Sequence, residues 1–245
     1  MLLHLSTWQE VDRYLEASPG IVIPTGSTEQ HGPTGLIGTD AMTSEAIAGR
    51  VGELCDALVA PPFNVGRAEH HMAFSGTITL RAEVMIEVLL DWATSLSRHG
   101  FSRLFFINGH GGNIPVFKKL AARLDEQPLT AKGGGSLRLS FNNWWEGPQT
   151  AALAGELYGD AEGSHATPSE VAVTQYLHPG AIKTVPLDPE IAPTGPIRDA
   201  ADYRRRFPDG RIGSNPALAT PQAGGRLLQA AARDLAERYR RFIAA

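Results

Sequence analysis

Residues 104 to 107 spell Leu-Phe-Phe-Ile, an unbroken apolar run that leads directly into the polar loop Asn-Gly-His-Gly-Gly-Asn. Such a run is typical of a strand buried on both faces, as the strands of a parallel sheet are. Further segments with strand character alternate with helical patterns along the chain. Strands are predicted within residues 20–26, 56–66, 101–112 and 136–145, and helices at about 7–17, 41–54, 81–98, 113–125, from 168 onward and 221–243. The alternation predicts an α/β fold whose mostly parallel sheet is covered by helices on both faces.

One stretch departs from this alternation. Residues 184–221 are rich in Pro and Gly and show little periodicity. A long irregular stretch in a compact domain is more often functional than a plain linker, so we expect a lid or a subunit-contact segment here.

Composition limits what the chain can be. With 245 residues, of which 42% are hydrophobic, it can bury one sizeable core, and we expect residues 1–245 to form a single domain. The formal charge is −4 without a Lys/Arg cluster, so neither nucleic acid nor an anionic membrane is an expected partner. The chain lacks an apolar run long enough to span a membrane, and its N-terminus does not resemble a signal peptide.

The single cysteine, Cys55, cannot form an internal disulfide and lies among apolar residues. We expect it to be a buried packing residue in a protein of the reducing cytoplasm. Any metal site must therefore use oxygen and nitrogen ligands.

The loop after the first predicted strand, GSTEQHGPTGLIGTD, contains three potential ligands, Glu29, His31 and Asp40. Residues two apart in an extended segment point to the same side, so the side chains of Glu29 and His31 can reach a common site. Asp40 directly precedes a predicted helix, where it could be the N-cap, a metal ligand or both. For Asp40 taken alone, capping is the favoured interpretation.

Two further loops carry histidines with supporting context. In NGHGGN the glycines let the backbone approach a site closely while His110 projects into it, and the loop lacks the lysine of a phosphate loop. His165 comes just before the helix start TPSE, where it could act as a general base, and Glu170 could be a capping-box residue or a ligand. His70 and His71 are adjacent, so at most one of them is expected to reach the site.

Together these segments supply three carboxylates and two or three histidines at positions that a parallel sheet could bring to one rim. Such donors suit Zn, Mn or Fe, and they suffice for two ions if Asp40 bridges them. A serine-hydrolase triad has little support, because the chain has no G-x-S-x-G segment.

In order and spacing, the segments GSTEQHGPTGLIGTD, FSGTITL, NGHGGN and HATPSE resemble the signatures of the creatininase (creatinine amidohydrolase) family. The resemblance spans residues 18–178 and continues more weakly toward the C-terminus. It implies a three-layer α/β/α sandwich with a short parallel sheet and two divalent ions per chain, Zn and/or Mn, with Fe also possible. It further implies a cytoplasmic homo-oligomer, often a hexamer.

Carried over position by position, the resemblance makes Glu29 and His31 ligands of different metals, Asp40 their bridge and His110 a further ligand. Creatininase proper has a glutamate two residues after the motif histidine, where this chain has Gly112. Many relatives also have HAGE-x-ETS where this chain has HATPSE. The last carboxylate ligand would then be Glu170, and creatinine itself becomes a doubtful substrate.

We therefore expect a hydrolase that cleaves a non-peptide C–N bond of a small amide or cyclic amide with a metal-bridging hydroxide. His165 would stabilise the oxyanion or transfer a proton, and Glu170 would share that work if it is not a ligand. One alternative is a metal-dependent formamide deformylase or a peptidase of a cofactor or modified-peptide pathway. A non-catalytic metal-binding oligomer is a further alternative.

Other residues are predicted around this centre. Asn108 and Asn113 are expected to orient the ligands. Contacts with substrate are predicted for His71, Gly111 and one of the adjacent pair Trp144 and Trp145, with core packing an equal alternative for the tryptophans.

Overall fold

The computed structural model describes all residues, 1–245, and has a four-stranded parallel sheet in the order β2-β1-β3-β4. The strands are β1 (Gly20–Thr25), β2 (Leu58–Val59), β3 (Arg103–Asn108) and β4 (Arg138–Asn143). The predicted α/β fold with a short parallel sheet is confirmed. β2 is much shorter than its predicted segment because Pro61 and Pro62, which lack amide donors, follow it closely.

The chain has eight α-helices, and most of them flank the sheet. They are α1 (Trp8–Ala17), α2 (Thr39–Cys55), α3 (Ala82–His99), α4 (Ile114–Glu126), α5 (Pro148–Tyr158), α6 (Pro168–Leu177), α7 (Ala200–Arg206) and α8 (Pro221–Ala244). None of them combines the length and apolarity needed to cross a bilayer. Helices α5 and α7 were not predicted, because both are short and neither has a strong apolar period.

The core consists of two apolar layers, one on each face of the sheet. Alternate residues of β1 enter opposite layers: Val22 packs with α2, α6 and α8, whereas Ile21 and Ile23 pack with α3 and α4. Both faces are thus covered by helices, which explains the unbroken apolar runs in β1 and β3. Cys55 is less buried than expected, because it lies at the end of α2, where its thiol contacts the backbone carbonyl of Ala236 at 3.6 Å.

The carboxyl ends of β1 and β3 pack directly against the start of α2. A Cβ atom on Gly109 would lie 2.2 Å from the carbonyl oxygen of Asp40, and one on Gly26 would lie 2.4 Å from the amide nitrogen of Ala41. Only glycine permits this approach. It brings Asp40 to the loops that carry Glu29 and His110.

The segment 184–221 is anchored rather than lid-like. It contains α7 and the buried Arg211, whose guanidinium donates to the carbonyl oxygens of Pro189 and Glu190 at 2.8 Å and of Ser214 at 3.0 Å. Ile212 forms an isolated β-bridge with His165. The segment therefore supports the loop of His165 from behind, and its expected role as a lid is not supported.

Candidate metal centre

The start of α2 places Asp40 between two histidines. Asp40 Oδ1 lies 2.9 Å from His31 Nε2, and Asp40 Oδ2 lies 3.1 Å from His110 Nδ1. The N-cap of α2 is Gly38, which makes no side-chain cap, and Asp40 belongs to the first helical turn. The favoured capping interpretation of Asp40 was therefore wrong, because the helix begins two residues earlier than predicted, at Thr39, and the carboxylate turns toward the histidines.

Glu29 approaches the same centre from the β1 loop and is fully buried. Its Oε1 atom lies 3.2 Å from His110 Nδ1, and its Oε2 atom accepts a hydrogen bond from Ser27 Oγ at 2.9 Å. Glu29 Oε1 and Asp40 Oδ2 are buried without a hydrogen-bond partner. Buried carboxylate oxygens are normally satisfied, so two unsatisfied oxygens facing one imidazole nitrogen fit a bound cation.

Glu170 combines the two roles that its sequence context left open. Its Oε1 atom accepts from the backbone amide of Thr167 at 2.6 Å, and its own amide donates to Thr167 Oγ1 at 3.2 Å, which forms a capping box at the start of α6. Its Oε2 atom lies 3.8 Å from His31 Nε2. One carboxylate thus caps the helix and presents its second oxygen to the centre.

The donor atoms fall into two groups that share Asp40. One group is Glu29, Asp40 and His110, the other is His31, Asp40 and Glu170, and the donor atoms within each lie within 4.8 Å of one another. A third group of Glu29, His31 and His165 meets the same limit. A shared carboxylate is what a pair of neighbouring ions requires, so the residues fit two divalent cations.

Gly112 could not carry the glutamate found in creatininase proper without a rearrangement of this loop. A Cβ atom at this position would lie 2.3 Å from His110 Nε2 and 2.4 Å from the carbonyl oxygen of Arg67. Glu170 instead supplies a carboxylate oxygen to the second group. The geometry is consistent with what the resemblance implies, namely that Glu170 takes the place of the glutamate that creatininase proper has at the position of Gly112.

Three histidines are oriented by backbone carbonyls. One ring nitrogen of each contacts a carbonyl oxygen: His31 Nδ1 that of Glu29 at 3.1 Å, His110 Nε2 that of Arg67 at 2.9 Å, and His165 Nε2 that of Gln30 at 2.8 Å. A carbonyl only accepts, so each of these nitrogens carries the proton. The opposite nitrogen of each ring faces the carboxylates, which is the arrangement that metal-binding histidines need.

The electrostatics of the centre favour positive charge. Burial opposes protonation of His31, but Asp40 and Glu170 outweigh it and raise the pKa of His31 to about 10. Burial likewise opposes protonation of His110, yet Glu29 and Asp40 raise its pKa well above the ordinary value. Burial raises the pKa of the Glu170 carboxyl to about 7. The centre therefore holds protons at neutral pH, and metal cations would compete with those protons for the same lone pairs.

His165 lies beside the centre as a neutral imidazole. Burial and the nearby His31 hold the pKa of His165 well below its usual range. Its proton is on Nε2. The Nδ1 atom, which carries the free lone pair, lies 3.8 Å from Glu29 Oε1. His165 is thus able to accept a proton at Nδ1, and its catalytic role stays a prediction.

The surroundings of His71, Asn108 and Asn113 differ in how they fit the roles predicted for these residues. His71 is only 2% exposed and does not line the cavity beside the centre, because it is enclosed between Gln30 and Glu29. It is therefore not positioned to contact substrate. Asn108 donates to the carbonyl oxygen of His110 at 2.7 Å and accepts from its amide at 3.2 Å, so it holds the backbone of a candidate ligand. Asn113 donates to the carbonyl oxygen of Gly26 at 3.0 Å, and the orienting role of both residues stays a prediction.

A cavity of about 520 Å³ opens onto Asp40, His110, His165 and Glu170. Trp144 and Trp145 both line it, as does Gly111. Only one tryptophan was expected because the pair was assigned to a strand, but residues 144–146 form a 3₁₀ turn. Adjacent side chains then diverge by about 120° and not 180°, so both indoles can reach one cavity. The lining residues include no lysine and no arginine.

Sequence analysis missed Gln30 as a site residue. In the structure its side-chain amide lies within 3.1 Å of His71, His165 and Tyr203. The only available signal was that it stands between two predicted ligands.

Comparison with known proteins shows which families, proteins and structures this chain is similar to. The family model described as "Creatininase: Creatinine amidohydrolase" matches residues 4–239. A mycofactocin precursor peptide peptidase of Mycobacterium ulcerans (strain Agy99) is 30% identical over 239 residues, which cover 91% of this chain and 86% of that protein. A protein of the same description from Mycolicibacterium smegmatis (strain ATCC 700084 / mc(2)155) is 38% identical over 112 residues, only 43% of this chain and 45% of that protein. A solved structure described as "Creatininase Mn" has a TM-score of 0.81 and 22% identity, and the match covers 100% of this chain and 99% of that chain.

Proposed function

We propose that this chain, which belongs to the creatininase family of metal-dependent amidohydrolases, hydrolyses the C–N bond of an amide at the centre formed by Glu29, His31, Asp40, His110 and Glu170. One observation carries the proposal: two groups of donors, all buried except the partly exposed Glu170, share Asp40, and the centre opens onto a cavity of about 520 Å³. A cavity of this size is suited to a small organic ligand.

Two divalent ions would be held by these residues. Glu29 and His110 would hold one, His31 and Glu170 the other, and Asp40 both. Such ions supply a nucleophilic water at neutral pH and polarise the substrate carbonyl. Manganese is favoured by the relative described as "Creatininase Mn", and zinc by the imidazole and carboxylate donors.

The protein's own groups would position the substrate and transfer protons. Trp144 and Trp145 would hold the substrate against the polar wall of the cavity. His165 would accept a proton at Nδ1 and return it to the leaving nitrogen, while the carbonyl of Gln30 keeps its Nε2 proton in place. Glu170 cannot turn freely to share this work, because its Oε1 atom is engaged at the helix start.

Away from the two proposed cations, the lining of the cavity favours a neutral or cationic amide. Asp40, Glu162 and Glu170 line it, whereas no lysine or arginine does. A substrate with a free carboxylate near the scissile bond would find no cationic side chain to pair with. A small amide or cyclic amide is therefore the favoured class, and a short peptide is the second candidate because of the similarity to the M. ulcerans peptidase.

A substrate panel on metal-loaded protein tests this function. Lactams, formamides and amide-capped dipeptides should be compared with matched compounds that carry a free carboxylate, with kcat/KM measured for each. We expect turnover of a neutral or cationic amide and at least roughly tenfold lower kcat/KM for its carboxylate counterpart. Chelation should abolish turnover, and Mn²⁺ or Zn²⁺ should restore it. Turnover that persists after complete metal removal would contradict the proposal.

His165→Asn tests the proton-transfer role. The variant should keep two ions per chain but lose about 10²- to 10⁴-fold in kcat, because the side chain no longer has a basic nitrogen at the cavity. Metal content measured on the same sample separates this result from metal loss. A wild-type kcat would remove His165 from the mechanism.

The assembly and location are part of the same proposal. We expect the domain of residues 1–245 to form a cytoplasmic homo-oligomer. The exposed apolar side chains of Leu5 and Trp8, 76% and 71% exposed, are consistent with a contact surface. Light scattering on the purified protein measures the assembly.

A further inference from the structure

We propose that Gln30, which is not itself a candidate ligand, is a positioning residue that holds Glu29 for metal binding through His71 and connects the centre to α7. The inference rests on the proposed metal centre. Its three steps are the orientation of the Gln30 amide, the tautomer of His71, and the support from residues 203–210.

The orientation of the Gln30 amide is determined by its neighbours. The side chain is 7% exposed, and its Oε1 atom accepts a hydrogen bond from the backbone amide of Gly32 at 2.8 Å. The Nε2 atom must therefore occupy the other branch, where it lies 2.9 Å from His71 Nδ1 and 3.0 Å from the carbonyl oxygen of Gly210. Its two protons can serve these two acceptors. Its approach to His165 Nε2 at 3.0 Å joins two donors and is not a hydrogen bond.

This orientation determines which nitrogen of His71 carries the proton. An amide NH₂ group can only donate, so His71 Nδ1 is the acceptor and His71 Nε2 bears the hydrogen. His71 Nε2 lies 3.2 Å from Glu29 Oε1. The contact is electrostatic, because Glu29 Oε1 has no partner with hydrogen-bond geometry. The polar Nε2–H group of His71 therefore faces Glu29 Oε1, and this oxygen keeps lone pairs that can bind a cation.

Residues of the irregular segment support the Gln30 amide from behind. Tyr203, fully buried on α7, donates from its hydroxyl to the carbonyl oxygen of Gly210 at 2.7 Å. Gly210 has a φ of +85°, and a Cβ atom there would lie 2.0 Å from Gln30 Oε1. The turn after α7 thus packs directly against Gln30. A chain of contacts leads from Tyr203 and Gly210 through Gln30 and His71 to Glu29.

The chain of contacts is tested by metal affinity, which requires no turnover. Zinc binding to Gln30→Met and to the isosteric Gln30→Glu should be measured in competition with a chromophoric chelator. Neither side chain can donate to His71 Nδ1 as the amide does. We expect one of the two binding steps to weaken by roughly 10- to 100-fold, the range seen when groups that orient metal ligands are replaced.

Two comparisons separate positioning from a general structural effect. Thr28→Val removes a hydrogen bond from the same loop, that of Thr28 Oγ1 to the carbonyl oxygen of Asn64 at 2.7 Å, and should leave zinc affinity unchanged. If Gln30 acts through His71, the double variant Gln30→Met/His71→Phe should lose no more affinity than His71→Phe alone.

Two outcomes would overturn the inference. They are wild-type affinity in both Gln30 variants, whether or not their unfolding temperature falls, and full additivity in the double variant. Each of them would leave the proposed amide hydrolysis standing. A wild-type protein that binds neither zinc nor manganese would overturn the inference and the proposed function together.

Discussion

Asp40→Asn should release both metal ions and lower the rate of amide hydrolysis by roughly 10⁴-fold or more, because several kcal/mol of metal-derived stabilisation would be lost. Asp40 is the only residue common to the two donor groups that each contain two carboxylates and one histidine. The amide of asparagine keeps the size of the side chain but removes its charge and one acceptor. Metal content by elemental analysis and turnover on the same sample measure both effects.

Asp234→Asn is a matched control for this variant. Asp234 is also a buried aspartate, 3% exposed against 2% for Asp40, and it accepts from the amide and hydroxyl of Thr150 at 3.0 and 2.9 Å. Its replacement should lower stability but leave two ions bound. The α2 helix should persist in Asp40→Asn, since Asp40 is not its N-cap. If Asp40→Asn retained two ions, the bridging role of Asp40 would have to be abandoned.

Glu170→Gln should reduce the metal content from two ions to one and lower turnover by roughly 10³-fold, about 4 kcal/mol in activation free energy. Its carboxylate is a donor only to the group that it forms with His31 and Asp40. The ion held by Glu29 and His110 should remain. A titration of metal content against turnover would show whether one ion supports any reaction.

The chain contains its own control for the capping role of Glu170. Glu10 forms an equivalent capping box with Thr7 at the start of α1, on an exposed part of the surface. Glu10→Gln and Glu170→Gln should therefore both lower the unfolding temperature slightly and by similar amounts. Only Glu170→Gln should change metal content. Equal metal content in the two variants would restrict Glu170 to the helix cap.

Much of the fold could be predicted because its signals are local. The apolar run of β3, the glycines of its loop and the TPSE start of α6 report strand burial, close backbone approach and helix capping within a few residues. Helices α5 and α7 were missed because short helices are stabilised mainly by packing, which no local period reveals.

The candidate site could be predicted less completely. The types of donor were evident, since a chain with one cysteine and clustered carboxylates and imidazoles has few other ligands to offer. The placement of His71 and both tryptophans was not evident. These residues lie in the short 3₁₀ turns 69–71 and 144–146, and the neighbours of a side chain in such a turn depend on how the turn packs in the fold.

The sequence by itself determined the parallel α/β architecture and the residues that can bind a metal, because periodicity and side-chain chemistry are properties of short segments. Only the tertiary structure decided how those residues are used. In the structure Asp40 is not the helix cap, and Glu170 caps α6 with one oxygen and faces the centre with the other. His71 contacts Glu29 and does not line the cavity. The tertiary structure also brought Gln30 to Tyr203, 173 residues away. Contacts at such separations depend on the packing of whole layers, and no local pattern records them.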